Sequence, residues 1–391
     1  MSMFKTLKRI HTDSAKYQAA FNSTQKTDVL AFSVADSDYE TAPKIKQALN
    51  DRIKHGAFGY GIFDEDTKIL IKDWYEHRYQ SHIKTSWIMP APKVLNTLSV
   101  MLQTLTKRGD KILIQPPVYH VFEPLIDINE RTLTKNPLRY HKGHYDIDFD
   151  HLETQFKTGI KAFIFCSPHN PVGRVWPKET IEKIVSLCKQ YGVYLLSDEI
   201  HADIIMPNHT FISCADYFDN YENIIVINAP SKTFNIAGLQ IAYFITPNED
   251  VREKLTQTYQ ALMLGTPNLL AVTALKAAYK ACDNWVDEQN AHVYKNFRTL
   301  KDFFAENFSK AHVLPLEGTY LAWIDLGFLN LSSVEITKAL ENNGMVVADG
   351  HKFGSKPDHF IRMNIACSNE QLLKGLKRFK DTFSGEQNED T

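Results

Sequence analysis

The middle of the chain alternates near-continuous apolar runs with amphipathic segments. Apolar runs that are separated by helices are typical of a mainly parallel sheet covered by helices on both faces. The pattern therefore predicts an α/β fold, in which ligands bind at the carboxyl ends of the strands. The predicted strands lie within "DKILIQPPVY" (110–119), "IKAFIFCSPHNPVG" (160–173), "VYLLSDEIHADI" (193–204), "NIIVINAPSKTF" (223–234) and "LQIAYFITP" (239–247).

One of the intervening segments has clear helical periodicity. Pro177 suits the first helical position and Gly192 suits the C-terminal cap, so a helix is predicted from Pro177 to about Tyr191. Its apolar residues follow the spacing i, i+3, i+4, i+7 of one helix face. They are Ile181, Ile184, Val185 and Cys188.

The pattern changes after about residue 283. A long polar helix, a partly alternating strand and shorter elements indicate a smaller α+β domain. The polar tail at 384–391 is expected to be frayed. The predicted organisation is an N-terminal segment that packs with the small domain (1–45), a large cofactor-binding domain (46–282) and the C-terminal small domain (283–391).

Composition and charge exclude several classes of partner. The 391 residues are 43% apolar and 23% charged, as in ordinary globular proteins. The net charge of −2 gives no electrostatic attraction for nucleic acid or anionic lipid, and "KTLKR" (5–9) is interpreted as a solvated face. No run approaches the roughly 20 apolar residues of a membrane span. We therefore expect neither nucleic acid nor a membrane as partner.

The cysteines indicate a reducing compartment. There are five, and none forms a CxxC pair, which is typical of free thiols in a cytoplasmic protein. The first residues lack the apolar stretch of a signal peptide. The stretch "HYDIDFDH" (144–151) lacks metal-ligand spacing, so we interpret it as a surface loop and expect no metal site.

Polar side chains stand where the predicted strands end, and together they suit pyridoxal 5′-phosphate (PLP). A lysine amine can bind its aldehyde, and a carboxylate can keep its ring nitrogen protonated. An amide, an aromatic ring and a hydroxyl can hold its phenolic oxygen, ring and phosphate. A lone lysine after a strand is usually a surface residue, so the set carries the hypothesis. Gly238 is expected to let the chain pass close to the lysine turn. The set is Tyr119, Asn170, Asp198, His201, Ser231 and Lys232.

Motifs spread over almost the whole chain extend this set. They are "VADSDY" (34–39), "FGYG" (58–61), "PPVYHVF" (116–122), "CSPHNPVGRVW" (166–176), "SDEIHADI" (197–204), "APSKTFNIAGL" (229–239), "GTYLAW" (318–323) and "DGHKFG…FIRMNIAC" (349–367). With them the chain resembles fold-type I PLP enzymes of the aminotransferase superfamily. Within that group it is similar to the MalY/PatB cystathionine β-lyases, also called cysteine-S-conjugate C–S lyases. The resemblance implies a large domain with a mainly parallel seven-stranded sheet and a smaller α+β domain.

The resemblance implies catalytic roles for four residues. Lys232 forms the Schiff base with PLP and then moves the substrate α-proton. Asp198 pairs with the pyridinium nitrogen, and Asn170 bonds the phenolic oxygen. Tyr119 stacks on the ring and helps the leaving group.

The remaining implied contacts hold the phosphate. Ser231 and the backbone of Val94 and Leu95 bind it within one subunit. Tyr60 reaches the phosphate of the neighbouring subunit, so the resemblance implies a homodimer. Further contacts to the cofactor come from Ile200 and His201.

The substrate side is implied by the same resemblance. Arg362 takes the substrate α-carboxylate as a planar bidentate fork. Ala35, in a segment that borders the substrate in relatives, contacts it together with Tyr119 and Asn170. Tyr320 is a further candidate, although a tyrosine on an alternating strand is usually a core residue.

Two departures from the family pattern stand out. Lys93 replaces the usual glycine of the phosphate turn, where it would be strained if that position needs a positive φ and would otherwise add a charge near the phosphate. Ser33 and Ser37 replace a tryptophan and a methionine beside the substrate. We hypothesise a roomier or more polar pocket that tolerates bulky or hydroxylated S-alkyl groups. Comparable kcat/KM values for methyl-cysteine and for larger conjugates would contradict this hypothesis.

The predicted reaction is β-elimination from an amino-acid thioether, with thiol, pyruvate and ammonia as products. An aminotransferase on the same fold is the main alternative, because fold does not settle the reaction. A non-catalytic PLP-binding regulator is a further alternative, against which the intact Lys232 argues.

Overall fold

The computed structural model of the protein describes residues 4–141, 143–354, 356 and 358–384, so most of the predicted frayed tail lies outside the described residues. The main regular elements of the described residues are β-strands and α-helices. The strands are β1 Leu30–Ala31, β2 Ile88–Ala91, β3 Lys111–Ile114, β4 Thr132–Lys135, β5 Arg139–His141, β6 His144–Asp146, β7 Ile160–Cys166, β8 Tyr194–Asp198, β9 Ile224–Asn228, β10 Ala242–Ile245, β11 His312–Val313, β12 Leu321–Asp325, β13 Met345–Val346, β14 Ala348–Asp349 and β15 Phe360–Asn364. The α-helices are α1 Ala15–Thr24, α2 Pro43–His55, α3 Glu65–Trp74, α4 Val94–Leu105, α5 Phe122–Ile128, α6 Phe149–Phe156, α7 Lys178–Tyr191, α8 Glu249–Ala261, α9 Leu269–Ala281, α10 Asp283–Asn307, α11 Ser333–Asn342 and α12 Asn369–Phe383.

A seven-stranded sheet of order β2-β10-β9-β8-β7-β3-β4 forms the centre of the fold. β10 runs antiparallel to both of its neighbours, and the other pairs are parallel. Neighbouring residues of β3 point to opposite faces, since Leu113 joins one buried cluster while Ile112 and Ile114 join another. Helices cover both faces, as the near-continuous apolar runs predicted. The predicted fold class is confirmed.

The helix predicted from residue 177 is confirmed as α7, with one difference at its start. Pro177 is extended (φ −68°, ψ 161°) and caps the helix instead of forming its first turn. Gly192 adopts the left-handed conformation (φ 66°) at the C-terminal cap, where glycine pays no Cβ penalty. The four predicted apolar positions of this helix are all buried.

A smaller antiparallel sheet of order β11-β12-β15-β14 lies in the C-terminal part of the chain. β1 pairs in parallel with β13, so the N-terminal segment is tied to this part. The domain boundaries at residues 45 and 282 stay a prediction. The stretch 144–151 is not simply a loop, because it forms β6 and the start of α6. No helix of the described residues is long and apolar enough to cross a membrane.

Candidate active site

The carboxyl ends of β7, β8 and β9 meet at one edge of the large sheet. In the register of these strands, Cys166 lies beside Asp198, which in turn lies beside Ile227. The residues that follow these strands line a cavity of about 220 Å³. Of the residues predicted from the sequence, the lining includes Ala35, Val94, Leu95, Tyr119, Asn170, Asp198, Ile200, His201, Ser231 and Lys232. A wider cleft of about 570 Å³ lies elsewhere, at Arg78 and Asp216, and contains none of them.

Lys232 is held at the cavity by its own amine and by its neighbour in the chain. Its Nζ donates to the carbonyl of Ala35 at 2.6 Å. Thr233 donates its hydroxyl to Asp203 at 2.7 Å, which fixes the turn that carries the lysine. Burial lowers the pKa of Lys232 to about 8, against the opposing effect of the Asp36 charge. A substantial fraction of this amine is therefore neutral near physiological pH, as a nucleophile or base requires.

Asp198 ends β8 and is buried beneath the cavity. Burial raises the pKa of Asp198 to about 6. The amide of Ile200, which donates to its Oδ1 at 3.2 Å, and the charge of Lys232 both lower this pKa, but burial outweighs them. Within the described residues it has no ion-pair partner at 4 Å or less. A buried carboxylate without a cation is a good acceptor for a positively charged group, such as a pyridinium N–H.

Arg362 lies on β15, 3% exposed, one layer behind the cavity lining. Its Nη1 donates to Oδ1 of Asn170 at 2.8 Å, and its Nη2 donates to the carbonyl of Ser33 at 2.7 Å. The guanidinium also lies over the ring of Phe353, 4.6 Å from its centroid. Burial lowers the pKa of Arg362 to about 10, so it remains cationic at neutral pH. Its present partners are neutral, which leaves its charge available to an anion.

Residues 33–37, here named the roof segment, present five consecutive carbonyls to side chains from other parts of the chain. The acceptors and donors are Ser33 with Arg362, Val34 with Asn364, Ala35 with Lys232 and Tyr320, Asp36 with Asn364 and Lys16, and Ser37 with Arg9 and Asn235. Both candidate cations of the site thus bind the backbone of one segment.

A buried cluster of charges fixes the far end of the roof segment. Arg9 contacts Asp36 at 2.8 Å and Asp38 at 2.9 Å, and Lys16, which is 1% exposed, contacts Asp38 at 2.9 Å. Burial raises the pKa of Asp36, but Arg9 and Lys16 outweigh this and hold that pKa below its usual value. The sequence interpretation of 5–9 as a solvated face is therefore wrong for Arg9. The acidic partners lie about thirty residues away, beyond the range of local charge patterns.

Tyr119 and His201 belong to the cavity wall, and Tyr320 lies behind it. Burial, with the Asp198 charge, raises the pKa of the Tyr119 phenol. Burial, with the charges of Lys232 and Arg362, lowers the pKa of His201, so its imidazole is neutral. Tyr320 is fully buried and does not line the cavity, but its hydroxyl donates to the carbonyl of Ala35 at 3.2 Å, so it contacts the site through the roof segment.

The start of α4 forms one end of the cavity. Lys93 caps this helix in an extended conformation (φ −155°, ψ 153°), so the lysine is not strained there. The amides of 94–96 have no acceptor among the described residues, because the first intrahelical bond is made by Thr97. Free amides and the helix dipole at such an end favour an anion, and the hydroxyl-bearing Ser231 lines the same cavity.

Other expectations are changed by the structure. A Cβ on Gly238 would meet nothing within 4 Å, so no close passage requires glycine there. Neither Ser33 nor Ser37 is among the described cavity-lining residues, and Ser37 is fully buried; the hypothesis of a roomier or more polar pocket stays a prediction. Tyr60 is 97% exposed and also lies outside the lining. Lining residues that the sequence analysis missed are Pro92, Cys166, Ala229, Ala237, Gln240 and Ile241. Cys166, Ala229 and Ala237 lie within motifs already identified, and Gln240 and Ile241 directly follow one, which is the signal that would have found them.

The groups present fit PLP. A partly neutral lysine amine, a buried carboxyl without a cation and a set of free helix amides surround one cavity. These are the complements of an aldehyde, a pyridinium and a phosphate. The individual roles assigned to these residues stay predictions.

The comparisons with known proteins agree with this geometry. Residues 27–379 match the family model described as "Aminotransferase class I and II". The chain belongs to this family. The cystathionine beta-lyase PatB of Bacillus subtilis (strain 168) is 36% identical over 387 residues, which is 98% of this chain and 100% of that protein.

Solved structures extend the likeness to the whole fold. Cystalysin from Treponema denticola, whose crystal structure contains a pyridoxal 5′-phosphate cofactor, superposes with a TM-score of 0.95 at 32% identity over 98% of this chain and 99% of that one. The PLP-bound C–S lyase from Staphylococcus hominis superposes with a TM-score of 0.91 at 29% identity over 98% of each chain. This member of the class I and II aminotransferase family is accordingly a PLP-dependent enzyme.

Proposed function

We propose that this enzyme is a C–S β-lyase that cleaves cystathionine or S-alkyl-cysteine conjugates to a thiol, pyruvate and ammonia. The observation that carries the proposal is the arrangement at the roof segment, where Lys232 binds one carbonyl and Arg362 another, two residues apart. An amine that moves an α-proton and a guanidinium that holds an α-carboxylate would then act on one amino acid. Similarity to a cystathionine β-lyase over the full length selects the reaction.

When bound, PLP supplies an aldehyde for the substrate amino group and a ring that accepts the electron pair released at Cα. The chain supplies the proton transfer: the neutral amine of Lys232, favoured by its pKa of about 8, takes the Cα proton. The Cα electron pair would then form a Cα–Cβ double bond as the C–S bond breaks with both electrons on sulfur and the thiolate leaves. Water would hydrolyse the released enamine to pyruvate and ammonia. Asp198, which lies at the end of β8 and accepts a hydrogen bond from the Ile200 amide, would pair with the positive ring nitrogen.

Substrate orientation falls to Arg362 and its neighbours. Its two Nη groups, now on Asn170 and the carbonyl of Ser33, form the planar fork that a carboxylate accepts. Tyr119, at the mouth of the same cavity, supplies an aromatic face for the ring. These residues fix the Cα–H bond relative to the amine of Lys232, which is where positioning contributes to rate.

An assay without a keto acid tests the reaction. We expect sustained release of pyruvate and free thiol from cystathionine and from S-methyl-cysteine, measured by lactate dehydrogenase coupling and by a thiol reagent. An aminotransferase would instead be inactive in this assay and would regain turnover with 2-oxoglutarate. A non-catalytic regulator would bind PLP and give turnover under neither condition.

We further propose a homodimer in which Tyr60 reaches the neighbouring site. Tyr60 is 97% exposed between Phe58 and Ile62, which are 59% and 70% exposed, and such an apolar surface favours a partner. Mixing two inactive variants, Tyr60→Ala and Lys232→Met, would give mixed dimers with one intact site. Recovery of activity after co-refolding supports the proposal, and a monomer by sedimentation would contradict it.

The organisation and location of the chain are also proposed. The β1–β13 pairing supports an N-terminal segment (1–45) that joins a small domain (283–391), beside a large domain (46–282). Free thiols support a cytoplasmic location, since all five cysteines are unpaired and buried. Limited proteolysis that releases fragments at these boundaries would test the organisation.

A further inference from the structure

Lys93 stands at an electrostatically unfavourable place. It is the N-cap of α4, where its side chain makes no capping hydrogen bond. Caps are normally side chains with an acceptor oxygen, and the helix dipole disfavours a cation at this end. The side chain is exposed, and its ammonium has no hydrogen bond or ion pair within the part of the chain that the structure describes. The positive end of the α4 dipole and the Lys93 ammonium therefore lie close together.

The cavity wall contains few other charges. Among the described lining residues, three side chains are charged: Lys93, Asp198 and Lys232. Ser231 and Gln240 also line the cavity. Lys232 is engaged by the aldehyde when PLP is bound, and Asp198 is negative. Ser231 and Gln240 are neutral hydrogen-bonding groups. A phosphate carries close to two negative charges at neutral pH. Lys93 is thus the remaining side-chain cation of the described lining that can balance the phosphate.

We propose that the ammonium of Lys93 forms an ion pair with the phosphate of PLP and so contributes to cofactor retention. The inference deepens the proposed site, because it rests on the phosphate lying between Ser231 and the start of α4. The extended backbone of Lys93 leaves its side chain free to turn toward the cavity that it lines. The anion relieves the repulsion between ammonium and helix end, which accounts for a lysine at this cap.

The proposal makes opposite predictions for the free and the loaded protein. In the apoprotein, Lys93→Asn replaces a repelling cation by a capping acceptor, so the melting temperature rises by about 1–2 °C. In the same variant, affinity for PLP falls. A residue with a purely structural role would move both quantities in the same direction.

The test is a set of fluorescence titrations of apoprotein with PLP and with pyridoxal, which lacks the phosphate. For Lys93→Gln we expect the Kd of PLP to rise about fivefold or more at 50 mM salt, with a smaller change at 0.5 M salt because the ion pair is screened. Pyridoxal should bind the parent and the variant equally. Lys93→Arg should retain most of the affinity for PLP. Lys107→Gln, an exposed lysine just beyond the other end of α4, is the matched control and should bind as the parent does.

Two results would overturn the inference: one concerns Lys93 alone, and the other also concerns the placement of the phosphate. If Lys93→Gln binds PLP with the parent's affinity and salt dependence, Lys93 does not pair with the phosphate, and the rest of the site stands. If the parent binds PLP no better than pyridoxal, the placement of the phosphate fails as well. Neither result depends on turnover, so the lyase activity is judged separately by pyruvate release.

Discussion

Replacing Arg362 by lysine tests how the site recognises a carboxylate. Arginine reaches Asn170 and the carbonyl of Ser33 with two nitrogens of one plane, at 2.8 and 2.7 Å. Lysine keeps the positive charge but offers a single, shorter-reaching nitrogen, so one of the two bonds to a bound carboxylate is lost. A hydrogen bond to a charged group contributes about 1.5–3 kcal/mol. Arg362→Lys should therefore lower kcat/KM by about 10- to 150-fold.

The loss should fall mainly on KM. A carboxylate is bound in the ground state and in the transition state alike, so uniform binding energy is removed while proton transfer to Lys232 is retained. The assay is pyruvate release from S-methyl-cysteine over a range of concentrations, at saturating PLP. The spectrum of the bound cofactor and the melting temperature establish that the variant is folded and loaded.

Arg131→Lys is the matched control for this experiment. Arg131 is half-buried and, like the buried Arg362, donates to backbone carbonyls, those of Leu102 at 2.9 Å and Thr106 at 2.8 Å, but neither of these partners lines the cavity. It should change stability and leave KM alone. A KM for Arg362→Lys within about twofold of the parent would refute the assignment of the carboxylate to this arginine.

Three further substitutions test the electrostatics and the packing. Lys232→Met should abolish turnover. The free energy of unfolding of its apoprotein at pH 7, measured in urea, should exceed that of the parent by up to about 3 kcal/mol, because the folded parent buries an ammonium whose pKa is lowered from 10.5 to about 8. That advantage should shrink between pH 8 and 10.5, where the folded parent has lost its proton and the unfolded chain has not, and a constant advantage would contradict the reasoning. The parent apoprotein should lose about 3 kcal/mol of unfolding free energy as pH rises from about 4 to about 6, because the folded Asp198 carboxyl binds its proton more tightly than the unfolded one. Asp198→Asn should remove this loss, and equal pH dependence of the two proteins in urea melts would show that Asp198 is not its cause. Gly375→Ala on α12 would place a Cβ 2.6 Å from the ring of Phe32 and should cost about 1–3 kcal/mol, whereas Gly238→Ala, with open space around it, should be nearly neutral in the same measurement.

The sequence predicted those parts of the structure that depend on local pattern. The helix at 178–191 follows from its apolar spacing and its flanking proline and glycine. The position of Lys232 near Asp198 and Asn170 follows because parallel strands end at one edge of a sheet. The family resemblance supplied the reaction, which no strand pattern contains.

Contacts between distant segments lay beyond such patterns. Arg9 was interpreted as part of a solvated face, yet it binds Asp36 and the buried Asp38. The conformation of Lys93 was also open, because a residue type does not fix φ where several values are allowed. The expectation for Gly238 was wrong, because a glycine within a motif need not allow a close approach of another segment.

The carbonyls of the roof segment make two contacts of the site independent of side-chain identity. Arg362 and Lys232 bind the main chain of Ser33 and Ala35, and a main-chain oxygen is present whatever side chain that position carries. Substitutions of the Ser33 and Ala35 side chains should therefore leave in place the two acceptor oxygens that these cations use. The donor end of such bonds does depend on the side chain, because replacing Asn364, far away along the chain, would remove its bonds to the carbonyls of Val34 and Asp36.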